Sequence, residues 1–593
     1  MKKLIRKIVC LAAFLGIVYS QMEDVFIRSI SLDGNEHVNI NEVLLIVRQH
    51  PPNWLFRRPD FDPRLLKLDA LTLKSYYHSK GFLDVVVEES STINEDYADI
   101  FYKITEGKQY FVSEVEVVGQ KTVSPEKIKT LLGLIEKKPY NPVRINDNLY
   151  LVENEYHEIG KLFFNINIQD VVTDSVKVII QVAEGKKIYV NKTYLKDMGL
   201  IDSSLVLREL TYKPESLYRK STMDKTEKRL REMGVFSMAN IIPIQMADSD
   251  SLVNIVIEFR RFKQREWNST GGYDPIRFAE GAEPLPALSG TIEWKNRSLF
   301  NYPTHLSTKL LAGVPVEEEL ILPRIRYDVS IGSNWILGVR FPTSLTGYYE
   351  TFIDYYTEEL ETINRYGVNL SQMIRFGNRS YFETKSVWES FSDQSDQNLQ
   401  QRSIAFKINL ENKDDPLYTR KGYLISILLK SAGYVLGGER DYLKGDLTFQ
   451  SYVPIGKKSV FALRVKTGIL RGWTYGDVDY SYEKFYLGGS TSMRGWDVLR
   501  FRESKGKPAG EVIRLMTNLE FRFPVYKSLG LTLFTDGGLL EDQIKNISSN
   551  ELEWDAGLGL ALQTPLGPAR LDYAVQIDDP STGKIQLGVQ YLF

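Results

Sequence analysis

The sequence predicts N-terminal α+β repeats followed by an antiparallel transmembrane β-barrel of about 16 strands. Three observations predict it. A unit of helix, glycine, aromatic residue and strand recurs three times before residue 262. Short runs of alternating apolar and polar residues then fill the chain to Phe593. A secretory-type leader precedes both parts.

Residues 1–20 read as that leader. Lys2, Lys3, Arg6 and Lys7 precede an apolar run from Ile8 to Val18, which closes on Val18-Tyr19-Ser20. Charge, a short apolar core and small residues in that order mark a cleaved signal. The run is shorter than the roughly 20 apolar residues of a spanning helix. Losing its four cations takes the net charge from −2 to −6. The one cysteine, Cys10, lies inside the leader, so no disulfide is expected after it. Lys and Arg number 74 against 76 Asp and Glu, with no basic block, and nothing in that balance points to nucleic acid. Mean hydropathy is −0.24, and no later stretch has the apolar length of a membrane helix. Barrel strands can still cross a membrane, because half of their residues stay polar.

The repeats are read from helical spacing. Leu66, Ala70, Leu73 and Tyr77 precede Gly81-Phe82; Ile145, Leu149, Val152 and Tyr156 precede Gly160 and Phe163; Met223, Thr226, Leu230 and Met233 precede Gly234-Val235-Phe236. Each glycine falls where a helix C-cap wants one. The glycines stand 79 and 74 residues apart, a domain-sized repeat. Ser124-Pro125 is an N-cap with proline in the first turn, ahead of the stripe Ile128, Leu131, Leu132 and Ile135. Closing strands alternate in all three: Ile100, Tyr102, Ile104; Val178, Ile180, Val182; Val253, Ile255, Ile257, Phe259. The first two run into Glu106-Gly107-Lys108 and Glu184-Gly185-Lys186. Each unit therefore reads strand, helix, helix, strand, strand. The pattern suits three plain structural modules, and equally modules whose open strand edge adds an extended peptide. Domain limits follow: leader 1–20, repeats 21–107, 108–185 and 186–262, barrel 263–593.

In the second half, parity sorts side chains by face. Ile585, Leu587, Val589, Tyr591 and Phe593 share one face of the last run, opposite Lys584, Gln586, Gly588 and Gln590. Leu515, Thr517, Leu519, Phe521 and Phe523 face out, which turns Arg514, Asn518, Glu520 and Arg522 inward. Leu531, Leu533 and Thr535 put Asp536 inside, and Leu571 and Tyr573 do the same for Arg570 and Asp572. Phe461, Leu463 and Val465 leave Arg464 and Lys466 inside, and Trp554, Ala556, Leu558, Leu560 and Leu562 form another outward face. A soluble sandwich alternates too, with the apolar face inward. The leader, the terminal aromatic and the number of runs favour the membrane barrel. About 330 residues at roughly 20 per strand and turn give about 16 strands, enclosing a lumen that must be filled or will conduct.

Between two such strands lies Leu487-Gly488-Gly489-Ser490-Thr491-Ser492-Met493-Arg494-Gly495-Trp496. Its glycines open backbone conformations closed to other residues, so the stretch can fold back into the lumen. There Arg494 needs a carboxylate, since an unpaired guanidinium in a partly dry space is costly. The inward Glu520 and Asp536 are the candidates.

With these residues in view, the sequence resembles the BamA/TamA outer-membrane assembly-factor superfamily, in which periplasmic POTRA domains precede a 16-stranded barrel. The repeats resemble POTRA domains. Met493-Arg494-Gly495-Trp496 is similar to the family's Val-Arg-Gly-Phe/Tyr loop signature, with Met for Val and Trp for the smaller aromatic. Phe534-Thr535-Asp536-Gly537-Gly538, Asn518-Leu519-Glu520-Phe521-Arg522-Phe523-Pro524 and Gly567-Pro568-Ala569-Arg570-Leu571-Asp572-Tyr573-Ala574 match barrel-strand motifs, and Asp414-Asp415-Pro416 with Gly422 matches another more loosely. Gln586, Gly588, Tyr591 and Phe593 fit the terminal β-signal. The resemblance implies that Arg494 pairs with Glu520 and Asp536 inside the barrel. It implies a bacterial outer-membrane factor that takes unfolded outer-membrane or secreted clients on its POTRA domains. Insertion or export would use a seam between Trp267–Tyr273 and Lys584–Phe593. Outer-membrane lipid, and a periplasm-spanning or lipoprotein partner on the POTRA domains, are the other implied contacts. Three repeats match the TamA-like arrangement, and Asp274 to Pro286 reads as the loop after the first barrel strand.

Two other readings stay open: a passive channel whose selectivity is set by Arg464, Lys466, Arg514 and Arg522, and a dedicated transporter of one secreted partner. Catalysis is not expected. His37, His50, His78, His157 and His305 are scattered without metal-ligand spacing, and there is no nucleophile elbow or phosphate-cradling loop. No cofactor or metal is expected.

Overall fold

The computed structural model describes residues 25–52, 59–273, 287–315, 324–354, 361–377, 379–392, 398–456, 459–474, 483–526, 528–548, 551–564, 568–589 and 593. The expected leader, the loop at 274–286 and Tyr591 lie outside the described residues.

Each repeat folds as strand, two helices and two strands. The first comprises β1 (Phe26–Asp33), α1 (Ile40–Ile46), α2 (Pro63–Ser79), β2 (Val86–Asn94) and β3 (Tyr97–Thr105). The second comprises β4 (Val112–Val118), α3 (Pro125–Leu132), α4 (Pro142–Glu158), β5 (Asn165–Val172) and β6 (Val176–Ala183). The third comprises β7 (Tyr189–Lys196), α5 (Ser203–Leu207), α6 (Lys220–Glu232), β8 (Phe236–Met246) and β9 (Ser249–Arg261). The last strand of each unit is the central one. In the first two units it runs parallel to the first strand and antiparallel to the second. That central position explains the clean alternation of Ile100, Tyr102 and Ile104, all buried against the helices with Leu73 and Tyr77.

Helix ends follow their capping residues. Ser124 and Asn141 accept the backbone N–H groups of Lys127 and Arg144, each with a proline in the first turn. Gly81, Gly160 and Gly234 sit at φ of +97°, +84° and +75°, beyond the ends of α2, α4 and α6. The carbonyl of Gly81 then accepts Tyr110 N–H at 2.8 Å, and that of Gly160 accepts Ile188 N–H at 2.9 Å. A Cβ at Gly81 would meet the Tyr110 carbonyl oxygen at 2.8 Å. The repeated glycine therefore ends a helix and starts the junction to the next repeat.

The recurring Glu-Gly-Lys also has a local cause. Glu106 accepts His37 N–H at 3.0 Å, with His37 Nδ1 at 2.6 Å. Glu184 accepts the N–H groups of Lys121 and Thr122 at 2.6 and 2.7 Å, and the Thr122 hydroxyl as well. Each carboxylate ties down the loop after its repeat's first strand. Burial pushes the Glu184 carboxyl up, but these donors and the Lys161 charge outweigh it and hold it down at about 2.

The rest of the chain is one antiparallel sheet of sixteen strands, neighbours in chain order throughout. They are β10 (Arg265–Tyr273), β11 (Ala287–Asn296), β12 (Thr304–Pro315), β13 (Arg324–Ile336), β14 (Val339–Asp354), β15 (Glu361–Arg375), β16 (Tyr381–Ser392) and β17 (Asn398–Glu411). There follow β18 (Gly422–Ala432), β19 (Tyr442–Ile455), β20 (Ser459–Arg471), β21 (Ile513–Tyr526), β22 (Leu529–Glu541), β23 (Glu553–Leu562), β24 (Ala569–Gln576) and β25 (Lys584–Val589). Its exposed face is the apolar one. On β24, Leu571 and Tyr573 are 46% and 51% exposed, whereas the intervening Arg570 and Asp572 are 5% and 1% exposed. Trp267, Leu288, Trp388, Leu558 and Ile585 continue the outward belt. A soluble sandwich would bury that face, and this order is that of a barrel wall with lipid outside. Among the described residues no helix is long and apolar enough to cross a membrane.

The margins of the sheet are β10 and β25. Among the described residues no ladder joins β10 to β25. β25 has six residues, whose last pair on β24 is Val589 with Ala569.

Phe593 corrects one sequence expectation. Alternation sets its ring outward with Ile585 and Leu587, yet the ring packs on the inward Tyr452, Val460 and Ala462. The guanidinium groups of Arg464 and Arg522 stand over it, 5.1 and 5.2 Å from its centroid. Two cations over a ring face are attractive, and that attraction holds the ring inside.

Candidate functional site

The site is the inner wall formed by β20 to β24 and the loop that lies on it. That loop leaves β20 at Arg471 and returns at Ile513. Its tip is a tight turn. Gly489 N–H reaches the carbonyls of Met493 and Trp496, and the Ser492 hydroxyl accepts Gly488 N–H at 2.8 Å. Gly488 and Gly489 adopt φ of +117° and +92°, a region that favours glycine. Gly495 is glycine for a different reason from the one its sequence context suggests. It does not take a positive φ; a Cβ there would stand 2.7 Å from the Asp555 Cβ. Glycine at 495 lets the loop backbone touch the wall.

Apolar side chains seat the tip. Phe485, Leu487, Met493 and Trp496 pack with Tyr442, Leu470, Met516 and Leu540. Met493 is fully buried, and its sulfur lies 2.8 Å from where a Cβ on Gly538 would stand. The small residue on β22 makes the hole that methionine fills.

Arg494 is fully buried. Its Nε and Nη2 donate to the two oxygens of Asp536, both at 2.8 Å, and its Nη1 donates to Glu520 at 2.7 Å. Asp572 lies 3.5 Å from Nη1, and the guanidinium stacks 3.4 Å from the centroid of Phe534. A planar fork held between two carboxylates and a ring face uses nearly every interaction a guanidinium has. The wall also grips the loop backbone. Asn518 Nδ2 donates to the Ser492 carbonyl at 2.8 Å, Arg464 to that of Thr491 at 3.0 Å, and Arg570 to that of Ser490 at 3.0 Å. Gln576 donates to the Gly495 carbonyl at 3.0 Å. Four cations (Arg464, Arg494, Arg522, Arg570) stand among four carboxyl groups (Glu520, Asp536, Asp555, Asp572), all buried.

Residues 290–592, just over half of the chain, match the Omp85 superfamily domain. The chain belongs to the Omp85 superfamily. Residues 110–185 match the POTRA family of surface antigen variable number repeats. This Omp85 protein is similar to the outer membrane protein assembly factor BamA of Nitratidesulfovibrio vulgaris, 21% identical across 95% of this chain and 72% of that protein. It is also similar to BamA of Neisseria meningitidis serogroup B, 21% identical across 90% and 73%. In fold it resembles the crystal structure of Haemophilus ducreyi BamA lacking POTRA domains 1–3, with a TM-score of 0.58 at 14% identity over 81% of this chain and 98% of that one.

The β-signal residues part company. Gln586 is inward, and its amide donates to the Trp496 carbonyl at 3.1 Å, so the last strand touches the docked loop. Gly588 faces Arg570, whose Nη2 lies 2.7 Å from a Cβ built there. Phe593 offers its carbonyl to Arg522 at 3.1 Å.

Sequence reasoning missed two groups. Asp555, opposite Asp536 on the neighbouring strand, accepts Gly495 N–H at 2.8 Å; the outward reading of Trp554 and Ala556 implied its inward position. Glu483 is a second anchor of the loop, accepting Tyr442 at 2.6 Å, Lys430 at 2.7 Å and Lys444 at 3.1 Å. A loop residue has no parity, and only two lysines on adjacent strands hinted at it.

Proposed function

We propose that this Omp85 protein is an outer-membrane assembly or translocation factor, seated in the bacterial outer membrane with its POTRA repeats in the periplasm. It receives unfolded outer-membrane or secreted polypeptides on the repeats and inserts or exports them through the margin between β10 and β25. The observation that carries this reading is that margin, where among the described residues no ladder joins β10 to the strand Lys584–Val589, and where Gln586 of that strand touches the docked Arg494 loop. Arg494 holds the loop on the strands beside the margin and so keeps that wall in shape while the margin opens. A BamA-type role agrees with the similar proteins, which are themselves assembly factors.

A passive channel fits less well. Arg464 and Arg522 grip the loop and the chain's last residue, and Arg514 pairs with Asp446 on β19. They are fasteners of a filled lumen.

Depleting the protein and comparing outer-membrane and surface proteomes tests the proposal. Broad loss of barrel proteins marks a general assembly factor, and loss of one or a few polypeptides marks a dedicated translocator. An unchanged proteome with altered small-solute uptake would replace the proposal with the channel.

A further inference from the structure

The Asp414-Asp415-Pro416 stretch has no part in the loop site, yet its two aspartates bind five backbone N–H groups. It joins β17 to β18, at the same end of the barrel as the β11–β12 turn, because the strands alternate in direction. Asp414 Oδ1 accepts the N–H groups of Asp415, Arg420 and Lys421 at 2.9, 2.9 and 3.2 Å. Asp415 Oδ1 accepts those of Leu417 and Tyr418, both at 2.8 Å. Gly422 closes the turn at φ +126°, where a Cβ would overlap the Asn412 carbonyl. Five backbone donors on two side chains, with an obligatory glycine, fix the direction in which Tyr418 is presented.

Tyr418 leaves its own hairpin altogether. Its hydroxyl donates to the Thr564 carbonyl at 2.5 Å and accepts Thr564 N–H at 3.0 Å. Thr564 belongs to the turn between β23 and β24, so the contact bridges the ends of six strands, β18 to β23. Both turns lie at one end of the barrel, so the bond is a chord between two points of its rim. Lys413 stands 5.0 Å over the ring of the inward Tyr452, and an open cleft of about 240 Å³ runs beside the bridge between Tyr418, Thr419 and Arg420 and the strand ends at Val460, Arg522 and Phe523. Val460 and Arg522, with Tyr452, are the ones that hold Phe593.

We infer that residues 412–421 form a latch that closes this end of the lumen, with the two-way bond between Tyr418 and the Thr564 backbone as its catch. The tip loop with Arg494 joins β20 to β21 at the other end of the barrel and lies on the inner wall, so the latch is separate from it. Arg379 also donates to the Lys413 carbonyl at 3.3 Å, but that contact stays on the neighbouring strands, whereas the Tyr418 bond reaches across to the turn at Thr564. The inference does not depend on which polypeptide the protein handles.

Ion conductance of the full-length protein in planar bilayers tests it. Tyr418→Phe keeps the ring and removes both bonds to Thr564. Open-state occupancy should rise roughly tenfold, the change that losing a hydrogen bond of ordinary net strength produces. Heat-modifiable migration on gels checks that the barrel is folded. The pair Tyr418→Cys with Thr564→Cys, bridged by a short bismaleimide, should return conductance to the parent level or below. The sequence's one cysteine, Cys10, lies in the expected leader and does not compete. Parent-like conductance of Tyr418→Phe overturns the latch. Should that variant not fold, the cysteine pair decides: lower conductance after bridging supports the latch, and equal conductance before and after overturns it.

Discussion

Two buried ion clusters face the lumen from different stretches of the wall, and they differ in what they fasten. Around Glu350, which is fully buried, the cations are Arg324 and Arg326 of β13 and Arg365 of β15. Every member stands on a strand, and each neighbouring strand is already joined by a backbone ladder. Around Arg494 the carboxylates stand on strands but the cation comes from a loop, which has no ladder of its own to the wall. The chemistry is the same. Neutralising Glu350 strains a wall that hydrogen bonds still hold, whereas neutralising Arg494 removes the principal attachment of a whole segment. A buried ion pair is therefore informative about function when one partner belongs to an element that no backbone ladder secures.

Arg494→Ala should break the comparison most strongly. It leaves Glu520 and Asp536 buried and uncompensated, at a cost of about 3–5 kcal/mol. The loop should become protease-sensitive between residues 483 and 512 and assembly should fail, while heat-modifiable migration of the barrel persists. Glu350→Gln should lower barrel stability by about 2–3 kcal/mol, the worth of hydrogen bonds to a charged group, without exposing the loop to protease. Glu184→Gln sharpens the contrast in a third place, where a carboxylate fastens a loop within a repeat. It should cost about 1–2 kcal/mol of local stability at neutral pH. The Glu184 carboxyl is held at about 2, below its ordinary 4.5. Its contribution is therefore present above pH 4.5 and is lost as pH falls toward 2. Hydrogen exchange of the second repeat in the full chain should show that acid weakening in the parent and a flatter profile in the variant. Asp555→Asn should do least, under about 1 kcal/mol, because an amide oxygen still accepts Gly495 N–H; loop protection and complementation should stay near the parent level.

Much of this was legible in the residues. Period-2 alternation decides which side a strand residue takes, so Glu520, Asp536, Arg570 and Asp572 could be set inside before any coordinates. Helical spacing and glycine caps did the same for the repeats. Alternation ran out where the ladder does. Phe593 turns inward to the ring of Tyr452 and two cations, an attraction that alternation does not encode. Glu483 lies in a loop and meets lysines on β18 and β19 that are far from it in the chain. Gly495 looked like a conformational glycine, and only the wall's distance shows that it is a spacing glycine. The Asp414 turn carried a recognisable motif, but the reach of Tyr418 to Thr564 depends on the curvature of the whole sheet, which no local pattern encodes.

The most direct test of the Arg494 attachment is a double-mutant cycle between Arg494→Ala and Asp536→Ala, read by hydrogen exchange at Gly489, Ser492 and Trp496. If the pair holds the loop, the two substitutions are strongly non-additive, with a coupling of about 2–3 kcal/mol. Additive effects, with coupling near zero, would show that the loop is held by its other contacts and that the ion pair does not fasten it.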